Sequence, residues 1–163
     1  MQEEILFQVN LPEQSADNAQ AVQTEKYLLF LSDGLLFGVP AAEVVEIITG
    51  HTVTRLPLVP SYIEGIINLR GQIIPIVDIR RLLGQEEYES NCMMILQSND
   101  TQVGILVDQV QMMVDIDTSA LLPVPPQSSK ELVCGMCSLE DGQTMLAFDC
   151  ARLLEHSLSL IHI

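Results

Sequence analysis

The sequence predicts a mainly β fold in which two small barrel-like subdomains carry short helices. Two observations lead to this class. Short apolar runs alternate with turn residues along the central part of the chain, a pattern typical of strands joined by hairpins. The second half of the chain also repeats the plan of the first half. Five or so short strands in each half cannot close a large sheet, but they can curl into a small barrel.

The first half opens with a hairpin. Apolar runs at Tyr27–Leu31 and Leu35–Val39 flank the turn residues Ser32–Gly34, which predicts two antiparallel strands. The segment Pro40–Glu46 follows and is interpreted as one or two helical turns, because proline is tolerated at the start of a helix. Short strands are then predicted near residues 47–49 and 52–56.

A second hairpin carries an isolated charged residue at its turn. Arg70 stands between two apolar runs, and Gly71 can take a positive φ without steric cost, so the strands of this hairpin are predicted at 66–69 and 72–77. Pro75 has no N–H for a ladder hydrogen bond, which indicates an edge strand or a bulge. Strands of this apolarity must be buried on at least one face. Arg70 is therefore expected at the rim of a barrel, as part of a contact surface.

The second half repeats the opening hairpin. Apolar runs at 93–96 and 103–107 flank the turn Ser98–Asp100, as the first two runs flank theirs. The segment Ser119–Lys130 is rich in proline and serine. It is predicted to be a long exposed connection.

The Arg70 hairpin has a counterpart as well. The spacing from Gly142 to Asp149 equals the spacing from Gly71 to Asp78, and leucines follow both aspartates at equal distances. The counterpart strands are predicted at 135–140 and 143–148. Both aspartates are interpreted as helix caps rather than as acid–base carboxylates. Two matches in the same order indicate two related β subdomains.

Composition bounds the organisation and the location of the protein. Apolar residues form 48% of the 163 residues and charged residues 18%, so the chain can bury a core. Residues 1–24 are mostly polar and are interpreted as a flexible tail, with the folded domain at 25–156 and a second tail at 157–163. No apolar run approaches the ~20 residues that cross a bilayer, and no signal peptide is recognised. A cytoplasmic protein without direct membrane insertion is expected.

The net charge constrains the partners. With 22 acidic and 7 basic residues, the formal net charge is −15. A phosphate backbone would be repelled, so nucleic acid is a poor partner and a basic protein surface is a better one. The alternative is that the acidity only aids solubility.

Patterns of catalysis and metal binding do not fit the sequence. It contains no G-x-S-x-G, no H-E-x-x-H and no P-loop, and its three histidines are isolated. Cys134 and Cys137 form a C-x-x-C, but zinc needs four ligands and a redox pair needs a helix N-terminus. They are interpreted as a buried pair of reduced thiols. No enzyme, no cofactor and no metal are expected, and a redox or metal-binding protein is the alternative from another class.

Glu46 and Arg70 form the candidate pair for a docking surface. Glu46 ends the predicted helical turn, and Arg70 tops the hairpin of the same half. An arginine fork can hold a carboxylate through two hydrogen bonds and so fix a surface for a partner. Two independent solvated charges are the alternative, and spacing alone favours it.

Four runs of the sequence resemble the CheW family of bacterial chemotaxis coupling proteins: Tyr27–Phe37, Val44–Ile47, Gly65–Arg80 and Gly104–Asp108. The resemblance covers roughly residues 25–156, and its most specific part is the run Asn68–Asp78. It implies a pair of intertwined five-stranded SH3-like barrels without catalytic activity. Family members link the cytoplasmic tip of methyl-accepting receptors to the regulatory domain of the histidine kinase CheA. The resemblance therefore implies a cytoplasmic adaptor at receptor arrays on the inner face of the membrane.

The resemblance also implies a set of site residues. Positions tied to receptor or kinase contact fall on Val44, Glu46, Gly65, Asn68 and Arg70. It makes the paired interpretation of Glu46 and Arg70 the favoured one. A helical receptor tip would suit a groove between two barrels. A paralogous adaptor of a type IV pilus, or twitching, system would use the same barrels and stays open as the alternative within the family.

Overall fold

Strands make up most of the structure, a computed structural model that describes residues 23–82, 92–124 and 132–154. Its ten described strands are β1 Thr24–Ser32, β2 Leu35–Pro40, β3 Val44–Thr49, β4 Ile63–Leu69, β5 Gln72–Asp78, β6 Cys92–Ser98, β7 Thr101–Val107, β8 Gln109–Asp117, β9 Val133–Ser138 and β10 Thr144–Phe148. The helices are short: α1 spans Ile79–Leu82, residues 150–154 are helical, and 3₁₀ turns cover Ala41–Glu43 and Thr118–Ala120. No helix within the described ranges has the length and apolarity that crossing a bilayer requires. The predicted fold class is confirmed.

The strands form two five-stranded sheets, and each sheet takes strands from both halves of the chain. Sheet A has the order β8-β1-β2-β10-β9, and sheet B has the order β3-β6-β7-β5-β4. The opening hairpin β1–β2 thus lies beside the closing hairpin β9–β10. In sheet B, the hairpin β6–β7 lies beside β4–β5. The two halves exchange hairpins, so the subdomains are intertwined rather than sequential.

Equivalent junctions in the two sheets confirm the internal repeat. β10 runs parallel to β2, and β5 runs parallel to β7. A glycine lies at each junction, Gly38 in sheet A and Gly104 in sheet B. A Cβ on Gly38 would overlap the sulfur of Met145, and a Cβ on Gly104 would overlap the side chain of Ile76. A larger residue at either junction would therefore have to displace the side chain of Met145 or Ile76.

The buried core of the described residues consists of three apolar clusters. One cluster lies within sheet A and includes Leu29 and Met145, and another lies within sheet B and includes Ile74. The largest cluster draws buried residues from both sheets. Two phenylalanines of the opening hairpin, Phe30 and Phe37, stack in it with ring centroids 5.4 Å apart. Burying a side chain of this size contributes roughly 1.5–3 kcal/mol, so the shared cluster joins the barrels into one unit.

The predicted helix caps are confirmed. Asp78 ends β5, and its Oδ1 accepts a hydrogen bond of 3.1 Å from the Arg80 N–H in the first turn of α1. Asp149 does the same for the last helix, where its Oδ1 accepts from the Arg152 N–H at 3.2 Å. Each carboxylate satisfies a backbone donor that has no partner inside its helix.

The predicted helical turns at Pro40–Glu46 are wrong in their second half. A 3₁₀ turn covers Ala41–Glu43, and β3 begins directly afterwards. The run from Val44 to Ile48 contains four β-branched residues, which favour a strand over a helix. Glu46 consequently lies on a strand that pairs with β6. The strand predicted near 52–56 reduces to a single bridge between Thr54 and Ile66.

Of the two alternatives predicted for Pro75, an edge strand or a bulge, the edge strand is wrong, whereas the β4–β5 pairing does contain an irregularity, between Ile63 and Gly65. β5 lies between β4 and β7 in sheet B. Pro75 faces Ile66, whose N–H and C=O both bond to Thr54 instead. The pairing with β7 begins only at Ile76. An interior strand tolerates proline here because this position needs no N–H for the ladder.

Several predictions fall partly or wholly outside the described residues. The N-terminal tail was predicted at residues 1–24, but β1 already begins at Thr24. Residues 1–22 lie outside the described residues. In the predicted connection Ser119–Lys130, Leu122 forms a bridge with Met136, and residues 125–131 are not described. The predicted C-terminal tail at 157–163 lies outside the described residues as well.

Candidate docking site

The turn between β4 and β5 places Arg70 at its corner. Leu69 pairs with Gln72, and the two residues between them have positive φ angles, 54° at Arg70 and 85° at Gly71. Two such residues are typical of a type I′ hairpin turn. The Asn68 side-chain oxygen accepts a 2.9 Å hydrogen bond from the Gly71 N–H, which stabilises the turn. The predicted hairpin is confirmed, and its arginine holds a backbone conformation that only a few per cent of non-glycine residues adopt.

Arg70 and Glu46 form a bidentate ion pair. Nη1 and Nη2 of Arg70 donate to Oε1 and Oε2 of Glu46 at 2.5 and 3.2 Å. The hydrogen bond from Arg70 lowers the pKa of Glu46, and the same bond raises the pKa of Arg70. Arg70 remains 72% exposed, whereas Glu46 is 27% exposed. The favoured interpretation of these two residues as a pair therefore holds in the structure.

The ion pair also shows how sheet B closes on itself. Glu46 lies on β3 and Arg70 follows β4, and these strands form the two edges of the sheet. Contact between the edges requires the sheet to curl. The Thr54–Ile66 bridge joins the chain after β3 to β4 in the same way. The pair thus links the two edges of the curled sheet B.

Gly65 has a packing role that accounts for its residue type. It is buried, and a Cβ at this position would overlap the Thr54 carbonyl oxygen and lie 2.7 Å from Val53 Cγ1. Val44 is half-buried and packs against the apolar cluster shared by both sheets. The structure therefore groups Glu46, Asn68 and Arg70 at the turn between β4 and β5. The other two predicted site residues, Val44 and Gly65, have packing roles instead.

An exposed apolar side chain beside the turn was not singled out from the sequence. Ile73 pairs with Asn68 across the hairpin and is 56% exposed. Val45 and Ile47, the chain neighbours of Glu46, are 43% and 44% exposed, and strand alternation places them on the face of β3 opposite to Glu46. Exposed apolar side chains next to a fixed polar pair are common at protein interfaces. The signal for Ile73 was the strand alternation, which places it on the same face as Asn68.

The prediction of a buried pair of thiols at Cys134 and Cys137 is wrong for Cys134. The two cysteines stand three residues apart on β9, so strand alternation directs them to opposite faces. Cys134 is exposed, whereas Cys137 is buried in the cluster of sheet A. Burial raises the pKa of the Cys137 thiol. Although Cys134 is exposed as a residue, its sulfur lies 3.6 Å from the Ala147 carbonyl oxygen, and this partial desolvation together with Asp149 raises its pKa. This geometry argues against a shared metal or a disulfide, and the described residues contain no cluster of potential metal ligands.

A preformed, exposed ion pair at a hairpin corner of two intertwined barrels suits a scaffold that binds other proteins. The model of the CheW-like domain family matches residues 26–158. The chain therefore belongs to the CheW-like domain family, a scaffolding family without enzymatic activity.

Relatives and a solved structure agree with this assignment. The chain is 31% identical over 110 residues to the chemotaxis protein CheW of Bacillus subtilis, covering 66% of this chain and 70% of the relative. It is 29% identical over 143 residues to the protein PilI of Pseudomonas aeruginosa, covering 84% and 79%. The crystal structure of the scaffolding protein TtCheW from Thermoanaerobacter tengcongensis matches with a TM-score of 0.72 at 27% identity, covering 78% of this chain and 90% of that one. The protein is a CheW-like scaffold of chemosensory signalling.

Proposed function

We propose that this scaffold couples methyl-accepting chemoreceptors to the histidine kinase CheA in bacterial chemotaxis, and that the Glu46–Arg70 turn is one of its docking surfaces. The observation that carries the docking assignment is the bidentate pair on an exposed corner. Arg70 is 72% exposed, so burial in the fold does not account for its position. Residues held in rarely populated backbone conformations also concentrate at functional sites.

The pair suits docking because it is formed before a partner arrives. Two hydrogen bonds hold the guanidinium in one orientation, so binding costs less side-chain entropy than it would for a free arginine. The other N–H groups of Arg70 remain available to acceptors on a partner. Ile73 adds apolar surface beside them. A partner with a matching polar group and an apolar rim would fit this turn.

The proposed partners are the regulatory domain of CheA and the cytoplasmic tip of a receptor. A receptor tip is an antiparallel pair of helices, and a helix can dock in the groove between two barrels. The protein would lie at receptor arrays on the inner face of the membrane. It would act by geometry: it holds kinase and receptor together, so that a rearrangement of the receptor biases the kinase.

An adaptor of a type IV pilus system is the second candidate function. The similarity to PilI extends over 84% of this chain. Both candidates use the same barrels and the same turn, so only the cognate partners distinguish them.

The experiment is a titration of the protein against the CheA regulatory domain and a receptor-tip fragment, measured separately for the chemotaxis system and for the pilus system. We expect binding to both components of one system and weaker binding by Arg70→Ala. Arg55→Ala is the matched control, because Arg55 is 69% exposed and pairs with Glu64 at 3.0 Å in the same sheet. Binding to neither component, or equal losses in the two variants, would contradict the proposal.

A further inference from the structure

Sheet A has a groove where sheet B has its ion pair. The groove has a volume of about 520 Å³ and lies between the sheet edges β8 and β9. Met112 on β8 and Asp141 in the turn before β10 both line it. The spacing from Gly104 to Met112 equals that from Gly38 to Glu46, and Asp141 precedes Gly142 as Arg70 precedes Gly71. The thioether of Met112 and the carboxylate of Asp141 cannot form an ion pair. The groove therefore lies where the edges of sheet A lack the link that Glu46 and Arg70 form in sheet B.

The floor of the groove is apolar. Leu29 and Cys137, which are buried in the cluster of sheet A, line it together with Val114 and Leu139, which pack against that cluster. Met112 stands at the side and is 61% exposed. An unbranched thioether adapts to the shape of different apolar partners. The groove can therefore take an apolar side chain.

The rim of the groove is acidic. Four carboxylates line it, those of Asp115, Asp117, Glu140 and Asp141. No Lys or Arg is among the described residues that line the groove. Lys26 neutralises part of this charge from outside, through a 3.2 Å bond to Asp115. Asp141 Oδ1 accepts from the Gln143 N–H at 3.0 Å, and its other oxygen can bind a further donor. An apolar floor with such a rim is complementary to a basic segment that carries apolar side chains.

We propose that this groove is a second docking site, which takes a basic amphipathic segment of a partner protein. An apolar side chain of that segment enters beside Met112, and its flanking Lys or Arg side chains pair with Glu140 and Asp141. The net charge of −15 favours the approach of such a segment and repels nucleic acid. With the Glu46–Arg70 turn in the other sheet, the scaffold then presents two chemically different surfaces.

The test uses the full chain and a short synthetic peptide in which Lys and Leu recur at helical spacing. Its controls are the same peptide with Glu in place of Lys and with Gln in place of Leu. Calorimetric titration should show binding of the Lys/Leu peptide alone, weakened by salt at about 0.5 M because the rim is exposed. Failure of the Lys/Leu peptide to bind would overturn the proposal.

Isosteric variants separate the groove from the general acidity of the protein. Glu140→Gln with Asp141→Asn removes two charges, and Asn keeps the acceptor for the Gln143 N–H. We expect a loss of roughly three- to tenfold in affinity. The matched control, Glu25→Gln with Asp100→Asn, removes the same charge outside the groove and should change the affinity little. Equal losses in the two double variants would mean attraction by net charge alone and would overturn the site.

The apolar floor has its own test. Met112→Gln keeps the length of the side chain but makes it polar. It should lower the affinity for the Lys/Leu peptide by about fivefold or more. Arg70→Ala should leave peptide binding unchanged, so failure of the groove and failure of the Glu46–Arg70 site are distinguishable. Urea unfolding of each variant verifies that its fold is intact. An unchanged affinity of Met112→Gln would contradict entry of an apolar side chain.

Discussion

Arg80 and Asp108 form a largely buried ion pair that links the two sheets. Nη2 of Arg80 donates to Oδ2 of Asp108, and the two side chains are 8% and 22% exposed. The same oxygen accepts a 2.9 Å hydrogen bond from the Asp33 N–H, while the Asp108 N–H donates to the Leu31 carbonyl at 2.9 Å. Arg80 follows β5 of sheet B, whereas Leu31 and Asp33 belong to the hairpin of sheet A. Asp108, the residue between β7 and β8, therefore fixes the position of one barrel on the other.

Removing this carboxylate should destabilise the protein strongly. Asp108→Ala removes a counter-charge from the largely buried guanidinium of Arg80, and we expect a loss of up to about 3–5 kcal/mol in the free energy of unfolding. Asp108→Asn should cost less, because it keeps an acceptor. Asp115→Ala, in the exposed Lys26–Asp115 pair, is the control and should cost less than about 1 kcal/mol. Urea unfolding gives all three values, and similar losses for the buried and the exposed pair would contradict the role of Asp108.

Local chemistry explains which elements could be predicted from the sequence. Arg70-Gly71 and the two capping aspartates act through their immediate neighbours, so the hairpin and the caps followed from the residues alone. Which hairpins lie side by side did not, because an apolar strand fits either sheet equally well. The exchange of hairpins was expected only from the family resemblance. The contact of Glu46 with Arg70 depends on the curl of sheet B, which no local pattern encodes.

Close backbone approach is a second property that the sequence concealed. Gly65 matched a family position tied to partner contact, yet its neighbours are Val53 and Thr54. That proximity arises from the Thr54–Ile66 bridge, in the segment near 52–56 that was predicted as a short strand without a pairing partner. The groove in sheet A was likewise hidden, although the repeat contained its signal: Met112 and Asp141 occupy the counterparts of Glu46 and Arg70.

Gly65→Ala should therefore destabilise the fold rather than a partner contact alone. The added Cβ overlaps the Thr54 carbonyl oxygen, and the strands cannot separate without breaking the two 2.9 Å bonds between Thr54 and Ile66. We expect the free energy of unfolding to fall by about 3 kcal/mol. Gly71→Ala is the control, because a Cβ at this position meets nothing within 4 Å. Only the φ of 85° is unfavourable for alanine there, and it should lower the free energy of unfolding by about 1–2 kcal/mol. If urea unfolding gave the larger loss for Gly71→Ala, the packing argument would fail.

The cysteines should react in an order set by exposure. Cys134 is the exposed thiol of β9, whereas Cys137 and Cys150 are buried. Mass spectrometry after alkylation should show modification of Cys134 first, and of the two buried thiols only in denaturant. Cys134→Ser should abolish the early reaction. Modification of Cys137 at the same rate would contradict the alternation of faces along β9.

The rate at Cys134 should also depend on pH in a defined direction. Partial desolvation of its sulfur and the charge of Asp149 raise its pKa, so at neutral pH it holds less of the reactive thiolate than an ordinary cysteine with a pKa of about 8.5. Its alkylation should be slower than that of a cysteine peptide and should accelerate as the pH rises above that value. Burial raises the pKa of Cys150 to about 12, which keeps it protonated throughout. Faster alkylation than the peptide would instead support the redox alternative.

The pH dependence of stability should reveal the ion pair at Glu46. Arg70 lowers the pKa of Glu46 in the folded state, so any stabilisation by the pair is fully present above the unfolded pKa of about 4.3. It is lost as the pH falls through the lowered folded value. The difference in thermal midpoint between the wild type and Glu46→Gln should thus be constant from neutral pH to about pH 5 and shrink in stronger acid. A difference that grows on acidification would contradict the pairing in solution.

A double-mutant cycle should show whether Glu46 and Arg70 act as one unit in docking. Arg70→Ala should shift the thermal midpoint by no more than about 2–4 °C, because exposed ion pairs contribute little to stability. Its affinity for the kinase domain or the receptor tip should fall by about tenfold or more, as expected for an arginine that is desolvated at an interface. Glu46→Ala should weaken the same interaction, because it releases the guanidinium from its fixed orientation. The double variant should then lose less than the product of the single losses. Calorimetric titration of the four proteins measures these affinities: independent losses would refute the coupling, and unchanged affinity for both partners would remove Arg70 from the site.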